Sequence, residues 1–197
     1  MATTKVDVNL ISATGTASSS TFLRGDGAWQ TPASGTDITL GTEVASTSGT
    51  AVTFTGIASG TKRITINLVG VSQGSASQTL QLQIGDSGGV ETSGYTSIRH
   101  GVADESVSTT TRATDCYGIF FQTGLQAADV VDGVVELMLE DSSGFQWNCW
   151  SMVGKTNADA MFIQVGTKAL SAELTQLKMF TNGGATFDLG AVNIMTE

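Results

Sequence analysis

The stretch KRITINLVGV, residues 62–71, decides the fold class. Its apolar residues Ile64, Ile66 and Leu68 alternate with polar ones. An alternation of period two places every second side chain on the same face of an extended chain, and it is typical of a β-strand with one buried face. The stretch therefore predicts a strand whose isoleucine and leucine side chains enter a core.

Similar runs recur on both sides of this stretch, and Gly, Asp or Ser bounds each of them. They are AVTFTGI (51–57), QTLQLQIG (78–85), CYGIFFQ (116–122), GVVELMLE (133–140), FQWNCWSMVG (145–154), AMFIQVGTKAL (160–170) and GAVNIMTE (190–197). Short strands at a spacing of about ten residues indicate an all-β protein. We predict an antiparallel β-sandwich of jelly-roll type, with about eight to ten strands.

One segment, LSAELTQLKMF (residues 170–180), fits two structures. Leu170, Leu174 and Leu177 fall at helical spacing, and Ser171 could cap a helix. The end of the segment, with Leu177 and Met179 followed by the turn TNGG, fits a strand instead. We favour the strand.

Composition agrees with a folded β-rich chain. The 197 residues are 40% hydrophobic and only 14% charged, which is too apolar for a disordered chain. The 24 glycines and the single proline suit many strands joined by tight turns. The length allows one sandwich domain with an extension.

Charge excludes several classes of partner. The basic and acidic residues of positions 1–36 cancel, so the net charge of −9 falls on the rest of the chain. An acidic body without a basic stripe argues against nucleic acid and against an anionic membrane surface as partners. The sequence has neither a membrane-spanning apolar run nor a secretory signal pattern. We therefore expect the protein to be made in the cytoplasm and not to insert into a membrane.

The first 36 residues form a separate arm, followed by a sandwich body over residues 37–197. KVDVNLISATG (5–15) has a strand pattern, and TFLRGDGAWQTP (21–32) contains three large apolar residues around a predicted Gly-Asp-Gly turn. The arm is too small to bury those residues alone. We therefore expect Phe22, Leu23 and Trp29 to pack on the body or on another copy of the chain.

The sequence offers little for catalysis or for cofactor binding. His100 is the only histidine and is predicted to lie in a solvated loop, and Cys116 and Cys149 are predicted to be buried free thiols. Acidic pairs could contribute to a Ca²⁺ site or to glycosidic hydrolysis, although solvated turns explain them better; they are Asp104-Glu105, Asp129 with Asp132, and Glu140-Asp141. We predict no enzyme, no cofactor and no metal.

Trp150 is the candidate contact residue of the body. In FQWNCWSM (145–152), Phe145, Trp147 and Cys149 share the face predicted to enter the core. Trp150 shares the other face with amide side chains, an arrangement that suits a glycan-stacking platform or a subunit contact. We favour packing in the core or between subunits.

The arm and parts of the body resemble a known family. GTASSSTFLRGDGAWQTP (15–32) resembles the T-F-L-R-G-D-G-x-W segment of tail-fibre and related virion proteins of tailed bacteriophages. Three body segments are similar to the domain that commonly accompanies it: residues 41–72, 80–97 and 186–195. Residues 109–155 match by pattern only.

The resemblance implies a homotrimeric virion protein with an outward-facing β-sandwich. Residues Phe22, Leu23, Arg24, Asp26 and Trp29 would then form the interlocking segment of the trimer. The expected function is a tail fibre that binds the host surface, through a glycan and with avidity. The alternative is a decoration protein that stabilises the capsid. Partners would be tail or baseplate proteins in the first case and the major capsid protein in the second.

Overall fold

A computed structural model describes residues 12–32, 38–75, 78–103, 106–107, 110–157 and 159–197. The predicted strand pattern of residues 5–10 and the pair Asp104-Glu105 lie outside these ranges. The chain divides into two compact units, Met1–Asp37 and Ile38–Glu197.

The first unit contains a small hairpin of strands β1 (Phe22–Leu23) and β2 (Trp29–Gln30). The residues between the strands form a tight turn in which the Gly27 amide donates to the Arg24 carbonyl at 3.0 Å. Gly27 has a φ of +78°, a conformation that glycine adopts without steric cost.

The second unit consists of strands joined by turns, and no helix occurs in its described residues. The short strands are β3 (Thr39–Leu40), β4 (Val44–Ala45), β5 (Ala51–Thr55), β8 (Gly89–Val90), β10 (Ser106–Val107), β11 (Thr111–Ala113) and β16 (Gln176–Thr181). The long strands are β6 (Arg63–Gln73), β7 (Gln78–Asp86), β9 (Tyr95–Ala103), β12 (Tyr117–Leu125), β13 (Val131–Asp141), β14 (Gln146–Lys155), β15 (Ala160–Ala169) and β17 (Phe187–Thr196).

These strands form two antiparallel sheets. The larger has the order β10-β9-β15-β14-β13-β6-β17-β3, with β11 also paired to β9 and β4 to β17. The smaller has the order β12-β7-β16-β5, with β8 paired to β7. Strands β13, β14 and β15 are a meander in the middle of the larger sheet, and the outer face of β14, β15 and the adjoining β9 carries the candidate surface.

The sheets pack as layers around a common apolar core. Ile64, Ile66 and Leu68 enter it from the larger sheet, as the alternation in residues 62–71 predicts, and all three are buried. The smaller sheet contributes three more predicted core residues, Leu80, Leu82 and Ile84. The prediction of an all-β antiparallel sandwich is confirmed, and so is the strand favoured near residue 177, which is β16.

Two local predictions were wrong. His100 lies within strand β9 and is half-buried, not in a solvated loop. Phe145 precedes β14 in a turn with φ +48° and packs at the edge of the core, so it does not share the strand face of Trp147.

Both cysteines are buried and free, as predicted. Burial raises the pKa of Cys116 to about 12 and raises the pKa of Cys149 well above its usual value. Both side chains are therefore neutral thiols at neutral pH and are shielded from reagents.

We expect neither thiol to react rapidly with a water-soluble disulfide reagent while the protein is folded. The same reagent in strong denaturant should titrate both cysteines, because unfolding removes the shielding and restores an ordinary thiol pKa. The absorbance of the thiolate that the reagent releases measures the number of reactive cysteines in the folded and in the denatured protein. A rapidly reacting thiol in the folded protein would contradict the burial of the two cysteines.

Candidate interaction surface

The predicted assembly residues of the arm lie together in the β1–β2 hairpin. Arg24 forms an ion pair with Asp26 at 3.4 Å and donates to the Gln30 side chain at 2.7 Å. Phe22 and Leu23 remain 47% and 38% exposed. The hairpin is thus held by polar contacts around its turn, while two large apolar side chains face outward within the arm.

Trp150 lies in the middle of β14, on the outer face of the larger sheet, and is 37% exposed. Its cross-strand neighbours are Glu136 on β13 and Val165 on β15. The amide side chain of Asn148 lies two residues earlier on the same face of its own strand, and that of Gln146 two residues before that. Trp150 shares its strand face with Gln146 and Asn148, as predicted, while the neighbouring strand β15 adds aliphatic side chains beside it.

Trp150 belongs to a block of nine positions that we call the apolar block. Strand pairing aligns β14, β15 and β9 so that three successive outward residues of each strand lie side by side. The three rows are Trp150, Val165 and Ile98; then Met152, Ile163 and His100; then Gly154, Met161 and Val102. Seven of the nine are large apolar residues, and each of these seven is at least 36% exposed.

The inner face of the same three strands is unusually polar. Ser97, Arg99, Ser151, Gln164 and Lys168 are all buried there. The Gln164 amide donates to the Ser97 hydroxyl at 3.3 Å, and that hydroxyl also accepts the Gly118 amide at 3.2 Å. The usual order of a half-solvated sheet, apolar inside and polar outside, is partly reversed here.

The rest of the outer face is mostly polar. Beyond β14, the outward residues Glu136, Thr65, Asn67 and Asn193 continue across β13, β6 and β17. Arg63 also lies there and forms an ion pair with Glu136 at 3.6 Å. The exposed large apolar side chains of this sheet face are therefore concentrated on β14, β15 and β9, and Met138 on β13, 41% exposed, continues them beyond the block.

Two charged residues flank one row of the block. Strand pairing runs from Glu136 through Trp150, Val165 and Ile98 to Arg112 on β11. Arg112 is exposed and has no ion-pair partner among the described residues. The row thus has an acid at one end and a base at the other, about 19 Å apart at the usual strand spacing.

A cavity of about 120 Å³ lies among the turns at one end of the sandwich. Lys62, Phe145, Trp147 and Glu173 contribute to its lining. The indole nitrogen of Trp147 is buried without a hydrogen-bond partner in the described part of the chain. The Glu173 carboxylate accepts the Gly60 amide at 2.6 Å, and this hydrogen bond lowers its pKa.

Three of the acidic residues that the sequence suggested, Asp129, Asp132 and Asp141, make contacts within the fold. Asp129 forms an ion pair with Lys155 at 2.7 Å, and Asp132 accepts the Gly70 amide at 2.7 Å. The Asp141 carboxylate accepts from Ser143 within its turn, and this contact lowers the pKa of Asp141. Within the described ranges, no group of three or more metal-binding side chains could hold an ion.

The apolar block could not be recognised from the sequence, except at Trp150. Met161, Ile163 and Val165 alternate with Phe162 and Gln164, so AMFIQV reads as an almost continuous apolar run. Such a run does not show which of its faces is the outer one. Gln164 is the one residue of this run that points to the reversal. It is a polar residue between Ile163 and Val165, and its place on the inner face puts those two apolar residues on the outer face.

Comparisons with known proteins give no relative. No family model matches the chain, and no curated protein or solved structure is significantly similar to it. A search for membrane-spanning helices in the described residues found none long and apolar enough to cross a bilayer.

Proposed function

We propose that this protein is a homotrimeric structural protein of a tailed-bacteriophage virion, and specifically a tail fibre that binds the host cell surface. The observation that carries the proposal is the segment Thr21–Trp29. Its sequence resembles the T-F-L-R-G-D-G-x-W segment of such virion proteins, and its hairpin exposes Phe22 and Leu23 within an arm that has few apolar residues to cover them.

The body supports an assembled state. An exposed apolar block on an acidic chain is a liability for a free monomer and a contact surface in an oligomer. A trimer would also present three copies of any host-binding site on one rigid particle. Three weak sites bound together can exceed the affinity of one site by about 10²–10⁴-fold.

Host contact fits the turn end of the sandwich better than it fits Trp150. The cavity there is lined by the aromatic residue Phe145 together with Lys62, Ser142 and Glu173, whose side chains carry polar groups. An apolar wall with a few convergent polar groups suits a small polar ligand such as a sugar. We assign the proposed glycan contact to this cavity.

A capsid decoration protein is the second candidate, and the position of the apolar surface favours it. The largest exposed apolar side chains lie on the arm and on a sheet face, where a clamp between virion subunits would need them. A decoration protein needs no host contact. Both candidates are trimeric virion proteins and differ in their place on the particle.

We expect an antibody against the body to label the tail end of intact phage particles in electron micrographs. Disrupted particles probed with the same antibody provide the positive control for epitope access. Label spread over the capsid would contradict the tail-fibre proposal and favour the capsid decoration protein. Absence of the chain from purified particles, measured by mass spectrometry of their proteins, would overturn both.

A further inference from the structure

We propose that the apolar block is the surface through which three copies of this chain pack around a common axis, with each block contacting both neighbouring copies. The inference rests on the proposed trimer and names the residues that hold it together. The partner is therefore a second copy of the same chain, and the face is the outer side of β9, β15 and β14.

The extent of the block fits a subunit contact. Its seven large apolar side chains expose on the order of 600 Å², which is at the upper limit of patches on soluble monomers. Stable protein interfaces bury about 800 Å² on each partner. Adding the polar neighbours Thr96, Asn148 and Thr167, which border a depression beside Trp150, brings the whole block near that value. Because a trimer divides the block between two neighbours, each contact takes about 400 Å² from each copy, which is the size of a small interface.

The chemistry of the block favours a protein partner over a glycan. Only Trp150 offers a flat aromatic surface, and most of its neighbours within the block are methionine, isoleucine and valine side chains without hydrogen-bonding groups. A bound sugar needs donors and acceptors around the ring on which it stacks. The centre of a subunit interface needs apolar side chains and excludes charge.

The distribution of charge allows another copy to be that protein partner. Each body carries the whole net charge of −9, so two copies repel one another over most of their surfaces. None of the nine positions of the block is Asp, Glu, Lys or Arg. Two acidic bodies can therefore approach most closely through their blocks.

The flanking residues indicate how the copies are arranged. Glu136 and Arg112 end the same row on opposite sides of the block. In a cyclic trimer, one side of each block faces the next copy and the other side faces the previous one. Glu136 of each copy, which also forms an ion pair with Arg63 of its own chain, can then meet Arg112 of its neighbour, and three such contacts close the ring.

The central test replaces Ile163, the middle position of the block, with glutamate. Ile163 is 49% exposed in the single chain, so Ile163→Glu should leave the sandwich folded while placing an unpaired carboxylate in each contact. We expect the full chain to sediment as a trimer and Ile163→Glu to sediment as a monomer. The corresponding weakening of the trimer is about 100-fold or more.

The matched control is Leu40→Glu. Leu40 is 66% exposed and lies on β3, four strand positions from β14 in the same sheet. This variant has the same charge change outside the block and should remain trimeric. Far-ultraviolet circular dichroism checks that both variants are folded. The isosteric change Val165→Thr adds a milder variant, with an expected weakening of several-fold.

A charge exchange tests the arrangement. Arg112→Glu should weaken the trimer about tenfold, because two acids then face each other. The double variant Arg112→Glu with Glu136→Arg should recover much of that loss. Failure of the double variant to recover it would overturn the head-to-tail contact.

The outcomes separate this inference from the proposed function. A trimer that survives Ile163→Glu, or that Leu40→Glu disrupts equally, would overturn the role of the block and leave the virion protein untouched. A dimer lost in Ile163→Glu would overturn the threefold arrangement. A wild-type chain that stays monomeric at high micromolar concentration would overturn the trimer itself, while particle labelling still decides whether the chain belongs to the virion.

Discussion

Replacing Gly190 with alanine is expected to lower the free energy of unfolding by about 4 kcal/mol. Gly190 has a φ of +91°, which costs an alanine about 1 kcal/mol or more. An added Cβ would also lie 2.3 Å from the Gly70 carbonyl oxygen and 2.6 Å from that of Val69. Both obstacles are backbone atoms of the paired strand β6, so relief requires the two strands to separate.

Gly184→Ala is the matched control. Gly184 also has a positive φ, +69°, but an added Cβ would meet nothing within 4 Å. We expect Gly184→Ala to lower the free energy of unfolding by only about 1 kcal/mol, which is the cost of a positive φ in alanine. Guanidinium unfolding at one protein concentration measures both values. Equal losses in the two variants would show that β6 and β17 do not approach as closely at Gly70 and Gly190 as described.

The sequence predicted the sandwich because its core strands obey a local rule. Ile64, Ile66 and Leu68 are apolar where the strand faces the core and are separated by residues that tolerate water. Local alternation was enough for these strands, and so the fold class followed. The turn around Asp26 was equally local, because Gly25 and Gly27 flank it.

Strand β9 was missed because its pattern is reversed. Arg99 is buried and Ile98 is exposed, so the alternation points the wrong way for a half-solvated strand. The reversal makes sense only when strands distant in sequence are paired and their shared outer face is seen as one surface. The close approach of Gly70 and Gly190 is hidden for the same reason, because it joins residues 120 positions apart.

The same reversal places a lysine inside the sandwich. Lys168 on β15 is only 5% exposed, and its ammonium group forms an ion pair with Glu91. The ammonium group also donates to the Ala169 carbonyl at 2.5 Å and lies 5.5 Å from the centre of the Tyr95 ring. The other Glu91 oxygen accepts the Ser171 amide at 2.8 Å. The pair therefore ties the connection after β15 to the turn after β8.

Removing the carboxylate alone should be costly. Glu91→Ala leaves the buried ammonium group of Lys168 without its counter-charge, and we expect a loss of about 3 kcal/mol at pH 7. The double variant Glu91→Leu with Lys168→Met removes both charges and should be closer to the wild type than Glu91→Ala is. A double variant that loses as much as Glu91→Ala would show that apolar packing, and not the unpaired charge, sets the cost.

Acid should weaken the same contact. Burial raises the pKa of Glu91, but the hydrogen bonds from Lys168 and Ser171 outweigh it and hold the pKa below the usual 4.5. Between the folded pKa and 4.5 the unfolded chain binds more protons, so this stabilisation is complete above pH 4.5 and is lost as the pH falls through the folded value. The pKa of Asp86 is lowered as well, chiefly by the Ser171 hydroxyl, and contributes with the same sign. Guanidinium unfolding at pH 7 and at pH 3 measures how much the free energy of unfolding falls in acid, and we expect a smaller fall in Glu91→Ala than in the wild type. An equal fall in both proteins would refute the contribution of Glu91.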